Sequence, residues 1–379
     1  MKVCVLSLLA MLLPLLAQAQ QISATSEPVL AAKSYVLYDY SSNQILVEHN
    51  GEERMEPASL TKLMTAYLTF NALKLNQLAL AQSTFPTEEA LRAQGQELRM
   101  FLDPSKSVTI GELLRGLMVQ SGNDAARVLA TVVAGNEADF AELMNKEAQR
   151  LNMKNTHFVN ATGVPHAQHY STARDLVLLA TAIVRDFPEH YALYGMRIYQ
   201  YNNVSQSNRN RLLWMDPFVD GMGTGYSERT GFSLVASAQR DQRRLISVVL
   251  GAPSDNLRAT ESQKLLNYGF QNFEARRLYQ KNQAVASIRL WKGTENKVPV
   301  GFRNDLLLTI PKGQMAQLKA TMETQQPLFA PISGGQKISV LKLNLNGKPY
   351  AEFPLVALDA VPLANVFSRG WDSIRLLFQ

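Results

Sequence analysis

Strand-like segments stand at both ends of the first two thirds of this chain, with helix-like segments between them. Tyr35 to Tyr40 and Gln44 to Glu48 alternate around Ser41-Ser42-Asn43, the pattern of a β-hairpin. Phe232 to Ala238 and Leu245 to Leu250 repeat that texture around Arg240-Asp241-Gln242. Leu60, Leu63, Met64, Tyr67 and Leu68 recur at helical spacing after Pro57, which predicts a helix from about Ser59. Ile110 to Val119, Asp124 to Val133, Ser171 to Arg185 and Thr260 to Phe273 carry the same period. A hairpin alone buries too little to be stable, so both hairpins are expected in one sheet with the helices inserted between them. The fold class is therefore α+β.

Beyond Phe273 the texture changes to short β-rich runs: Ala284 to Trp291, Asp305 to Ile310, Ala316 to Thr321, Lys337 to Leu345 and Tyr350 to Pro354. They predict a separate small all-β domain. At the end, Leu363, Val366, Phe367, Gly370, Trp371, Ile374, Leu377 and Phe378 fall at spacings of three and four. Asn365, Ser368, Arg369, Asp372, Ser373 and Arg375 take the other side, giving an amphipathic helix with a bulky face suited to a membrane interface.

The start of the chain reads as an export signal. Lys2 precedes an almost unbroken apolar run from Val3 to Leu16, and Ala17-Gln18-Ala19 is a small-residue cleavage site. The run is too short to cross a bilayer. Cleavage removes Cys4, the one cysteine, so disulfides, a thiol nucleophile and a zinc-thiolate site are excluded together. The expected division is 1–19 signal, 20–275 main domain, 276–360 β-domain and 361–379 helix. Lys+Arg 38 against Asp+Glu 32 gives a net +6 spread along the chain, which argues against a nucleic-acid partner.

Without a thiol, nucleophilic chemistry falls to serine. Ser59-Leu60-Thr61-Lys62 puts a hydroxyl and an amine three residues apart on a helix start, where they share a face. A lysine can act as base only when neutral, and the apolar Leu63-Met64 that follows would bury the pair and lower its pKa. Ser121-Gly122-Asn123 lies between two helices and offers a relay hydroxyl and an amide, although such a triplet is more often a polar turn. Asp220-Gly221-Met222-Gly223-Thr224-Gly225-Tyr226 precedes the second hairpin as a glycine-lined edge strand that a peptide could join. His166 and His169 form H-x-x-H with no acid between and no third ligand, so the pair reads as two surface histidines and no metal is expected. His49, His157 and His190 look solitary.

In that order and at those separations, the three elements resemble the S-x-x-K, S-x-N and K-T-G motifs of the penicillin-binding serine enzymes. The likeness is closest to the low-molecular-mass D-alanyl-D-alanine carboxypeptidases. It extends over Pro57-Ala58-Ser59-Leu60-Thr61-Lys62, Leu114-Arg115-Gly116, Gln120 to Ala125, Asn155 to Phe158, Ser171 to Leu176 and Asn208-Arg209-Asn210. The resemblance implies a penicillin-binding/β-lactamase-like peptidase domain. It also implies a Ser59 acyl-enzyme with Lys62 as base, Ser121 as proton relay and Asn123 on the substrate amide. The oxyanion hole would come from the Ser59 and Tyr226 backbones. Thr224, Arg209 and Arg258 would meet the substrate carboxylate beside Gly223 and Gly225. The implied partners are stem peptides ending in D-Ala-D-Ala, β-lactams and, through the terminal helix, the periplasmic face of the bacterial inner membrane. No cofactor is implied.

One departure matters. Gly223 replaces the lysine of K-T-G, removing a cation that would help keep Lys62 neutral and attract a carboxylate. Acylation with impaired turnover is the expected result. A membrane-tethered peptidoglycan- or penicillin-binding scaffold is the non-enzymatic rival. Tyr226, where close relatives often carry His, matters less because the hole needs only its backbone. A β-lactamase is a further rival, but the second-motif position holds Ser121-Gly122-Asn123 rather than Ser-Asp-Asn.

Overall fold

The computed structural model describes residues 27–92 and 97–376. The expected signal, Met1 to Ala19 with Cys4, lies outside the described residues, as do Leu377 and Phe378. The two hairpins join as expected. A five-stranded antiparallel sheet runs in the order Gln44–His49, Ser34–Asp39, Arg243–Ala252, Gly231–Arg240, Val219–Ser227. Its middle strand is apolar on both faces. Ile246, Val248 and Leu250 pack with Val36, Met222 and Val235 under the inserted helices. Leu245 and Val249 turn the other way, with Leu37 and Leu234, onto Leu265 and Leu266 of the helix Asp255–Asn272. Each such side chain, fully buried, stabilises the fold by about 1.5–3 kcal/mol.

The inserted helices include Lys62–Lys74, Ile110–Val119, Asn123–Ala134 and Ala173–Asp186. A capping box starts the second, with the Thr109 hydroxyl accepting from Glu112 N–H while the Glu112 carboxylate accepts from Thr109 N–H. Glu137–Arg150 is a helix that the periodicity reading passed over, although Asn136 caps it by accepting from Asp139 N–H. The first helix begins at Lys62, later than expected. Ser59 lies instead on a 3-10 turn, Ala58–Thr61.

The small domain holds a second five-stranded sheet, in the order Ala284–Arg289, Lys297–Gly301, Lys348–Ala357, Lys337–Leu345, Leu318–Thr324. Lys297–Gly301 carries no strand signal because of Pro299, which is tolerated because the second neighbour, Lys348–Ala357, pairs only with Val300 and Gly301. Phe273–Tyr279 was missed too. It carries Arg276 and Arg277 and pairs with Leu306–Pro311 outside the main sheet.

Asp39, fully buried at the end of its strand, ties the two domains together. Its carboxylate accepts from the Ser41 and Ser42 N–H groups on one oxygen and from Arg243 Nε (2.7 Å) and the Thr309 hydroxyl (2.8 Å) on the other. Thr309, on the small domain, also donates its N–H to Gln44 Oε1 at 2.7 Å and accepts at its carbonyl from Tyr350 at 2.6 Å. The terminal helix Val366–Leu376 carries Asp372, which accepts from Lys292 N–H at 2.7 Å. Its Val366, Phe367, Trp371 and Ile374 are exposed, Phe367 to 90%. No described helix is long and apolar enough to cross a membrane.

Removing Asp39 would strand the Arg243 guanidinium in a buried place. Asp39→Ala is expected to destabilise the protein by about 3–5 kcal/mol, measured as a lower urea midpoint. An unchanged midpoint would show that the tie contributes nothing.

Candidate active site

The Ala58–Thr61 turn places Ser59 at the head of the helix that starts with Lys62. Ala58 takes a left-handed backbone, φ 47°, which costs a residue with a Cβ about 1–2 kcal/mol and aims Ser59 away from the core. Lys62 Nζ donates to Ser59 Oγ at 2.9 Å and to the Thr162 carbonyl at 2.8 Å. Both acceptors are neutral. Burial is the main influence on the amine and pushes its pKa from about 10.5 down to about 7; Glu97 and Asp124 favour the charged form and Arg127 opposes it.

The Thr162 carbonyl comes from a loop a hundred residues away, brought in by a close approach at Gly163. That glycine has φ 84°, and a Cβ there would lie 1.8 Å from the Ala58 carbonyl. His169 holds the same loop to the turn. Its Nδ1 accepts from Val159 N–H at 3.2 Å, so its Nε2 carries the proton and donates to Thr61 Oγ1 at 2.8 Å. His169 is therefore buried, contrary to the surface position read from the sequence, and burial lowers its pKa to about 4. His166 is exposed. Asp175 closes the loop by accepting from Asn155 N–H and the Thr156 hydroxyl. Thr162 and His169 had no motif to announce them, since one acts through its backbone and the other through a fold-dependent contact.

The Ser121-Gly122-Asn123 turn stands opposite, with Ser121 at φ 62° and Asn123 opening its helix. Asn123 N–H donates to the Leu98 carbonyl at 2.7 Å. The third side is the edge strand Val219–Ser227. It runs so close to the turn that a Cβ on Gly225 would lie 2.7 Å from the Pro57 carbonyl. Position 223 differs. An ideal Cβ there meets nothing nearer than Leu63 Cδ2 at 3.5 Å, so a side chain would fit.

All ten residues singled out from the sequence line two adjoining cavities. A recess of about 20 Å³, room for one water-sized group, is bounded by Ser59, Lys62, Ser121, Arg209, Gly223 and Thr224. A cleft of about 490 Å³ shares Ser59, Arg209 and Thr224 with it and adds Asn123, Gly225, Tyr226 and Arg258. Arg258 is committed elsewhere in part: it donates to the Gly225 carbonyl at 3.0 Å and pairs with Asp255. Burial brings its pKa down to about 10. Glu97 also lines the cleft, and nothing in its sequence context pointed to it. Chemically, the arrangement can activate a hydroxyl and receive an extended, carboxylate-ended chain along the edge strand.

Residues 21–254 match the family described as D-alanyl-D-alanine carboxypeptidase, and residues 273–363 match the C-terminal domain of penicillin-binding protein 5. The chain is 39% identical over 357 residues to D-alanyl-D-alanine carboxypeptidase DacC of Escherichia coli K12, covering 93% of this chain and 89% of the relative. The Haemophilus influenzae DacA is 39% identical over 353 residues, 92% of this chain and 90% of its own length. Among solved structures, penicillin-binding protein 5 from Haemophilus influenzae superposes with a TM-score of 0.85 at 39% identity, covering 88% of this chain and 98% of that one.

The buried amine has a thermodynamic signature. Below about pH 7 Lys62 is protonated both folded and unfolded, and burying its charge destabilises the fold in full. Between about 7 and 10.5 the unfolded chain binds the extra proton, so this penalty fades as pH rises. Lys62→Met should therefore raise the melting temperature, by more at about pH 6 than at about pH 10. An equal or absent rise at both would mean that the amine carries no such penalty.

Proposed function

The chain belongs to the D-alanyl-D-alanine carboxypeptidase family of penicillin-binding proteins, and from that premise we propose how the residues of its cleft divide the reaction. The protein is a serine-type D-Ala-D-Ala carboxypeptidase that binds peptidoglycan peptides and β-lactams. One observation carries the assignment of roles: a buried amine with a pKa near 7 at 2.9 Å from a serine hydroxyl.

Neutral Lys62 takes the Ser59 proton as Oγ attacks the carbonyl between the two terminal D-alanines. The tetrahedral oxyanion is held by the Ser59 and Tyr226 N–H groups. On collapse the peptide C–N bond breaks, and Ser121 passes a proton to the departing D-alanine amine. Water then cleaves the Ser59 ester and releases the shortened peptide. Asn123 holds the substrate amide while Arg209 and Thr224 meet the terminal carboxylate. Arg258, bonded to the Gly225 carbonyl, also sets the edge strand that carries Thr224.

Gly223 leaves this site one cation short, and turnover is reduced as a result. Gly223 also gives the scaffold reading its support: a chain that acylates and turns over little would serve mainly to bind. The protein works at the periplasmic face of the inner membrane, with the exposed aromatic face of Val366–Leu376 lying in the lipid interface.

Incubation with a labelled penicillin and with a D-Ala-D-Ala peptide tests the chemistry. A covalent label on Ser59 with slow D-alanine release is expected. No label would overturn the Ser59 role, and a label without release would favour the scaffold. Gly223→Lys should speed acylation by about tenfold, and an unchanged rate would place the needed field elsewhere. Deleting 362–379 should move the protein from the membrane to the soluble fraction with labelling intact; retention on the membrane would end the anchor proposal.

A further inference from the structure

Glu97 and Arg127 form a two-point ion pair, Nη1 to Oε2 at 3.0 Å and Nη2 to Oε1 at 2.5 Å, with 3% and 6% of the side chains exposed. Buried pairs of this kind are seldom more stable than apolar replacements, so stability alone gives no reason for one beside a reactive serine. Its placement gives another. Arg127 sits one turn after Asn123 on the same helix face. Glu97 begins a segment fastened to that helix start: the Leu98 carbonyl accepts from Asn123 N–H, and the Met100 and Leu102 N–H groups donate to Asp124 at 3.0 and 3.2 Å. The far side of the segment is also tied, since the Arg99 carbonyl accepts from Gln206 at 3.1 Å. Glu97, Asn123 and Ser59 all line the cleft.

We propose that Glu97 and Arg127 are positioning residues for acylation at Ser59, clamping segment 97–102 onto the helix that opens with Asn123 and balancing the charge around the Lys62 amine. The inference rests on the Ser59 and Lys62 roles given above. Three charged groups act on that amine and a fourth stands beside it. Glu97 and Asp124 favour its charged form, Arg127 opposes it, and Arg209 lines the recess it occupies. Both Asp124 oxygens are already engaged by backbone donors. Removing one member of the ion pair therefore upsets the balance in a known direction. Glu97→Gln leaves a lone cation that drives Lys62 further toward neutrality, whereas Arg127→Met leaves a carboxylate that favours its proton.

The test is the rate of covalent labelling of the full chain by a fluorescent penicillin, from about pH 5 to 9, with D-alanine release measured alongside and Ser59→Ala as blank. The rising limb should shift to lower pH by about one unit in Glu97→Gln and to higher pH by about one unit in Arg127→Met. Both plateaus should fall by about tenfold as the second motif loosens. The double variant should recover the original limb but keep the low plateau. Arg127→Lys, which keeps the charge and loses the fork, should do the same, and it serves if the single variants fail to fold. Variants that fold, label with the original limb and plateau, and merely melt earlier would overturn the proposal. An unlabelled parent chain would instead sink the Ser59 assignment, a separate failure.

Discussion

The burial of one ammonium-bearing side chain constrains everything near it. Lys62 sits in the core of its domain with two neutral acceptors, Ser59 Oγ and the Thr162 carbonyl, and among the described residues it bonds to no carboxylate. A carboxylate there would have fixed the proton on the amine. The two carboxylates that favour its charged form are engaged by other partners: Glu97 by Arg127, and Asp124 by backbone N–H groups. The Gly163 approach, the His169 contact with Thr61 and the left-handed Ala58 all deliver neutral groups to the amine. The domain accepts a local loss of stability in burying this amine, whose pKa is pushed down to about 7.

The sheet explains how such a site holds its shape. The turn carrying Ser59 is pressed against the edge strand at Gly225, and that strand is built onto two others whose side chains are buried on both faces. Arg258 pins the Gly225 carbonyl from the opposite side. Ser59 and Thr224 are thus set by the turn packed on the edge strand and by that strand itself, while the segment 97–102 and the loop around Thr162 reach in from outside the sheet.

Much of this was legible in the sequence, for reasons that differ by residue. The hairpins at 34–49 and 231–252 could be read because alternation with period two survives wherever a strand has a distinct pattern on each face. Ser59, Lys62, Ser121 and Asn123 stand out in the sequence through short spacings within single turns, and the fold brings all four to two adjoining cavities. Thr162, His169, Glu97 and Arg127 do not stand out. Each acts across a long sequence separation, through a carbonyl, a buried tautomer or a charge pair that exists only after folding. His169 misled for the same reason, since H-x-x-H in a polar loop gives no hint that one ring turns inward. Lys297–Gly301 was hidden by its proline and Glu137–Arg150 by weak periodicity despite a sound cap.

The edge strand also bears on sequence drift. Two residues apart, it has one position where any side chain would strike the backbone of the Ser59 turn and another where a Cβ would meet only ordinary contacts with Leu60 and Leu63. A change at Gly225 would cost the fold, whereas a change at Gly223 alters what the recess beside Ser59 presents. Position 223 is therefore one where a replacement can add a Cβ and leave the architecture as it was.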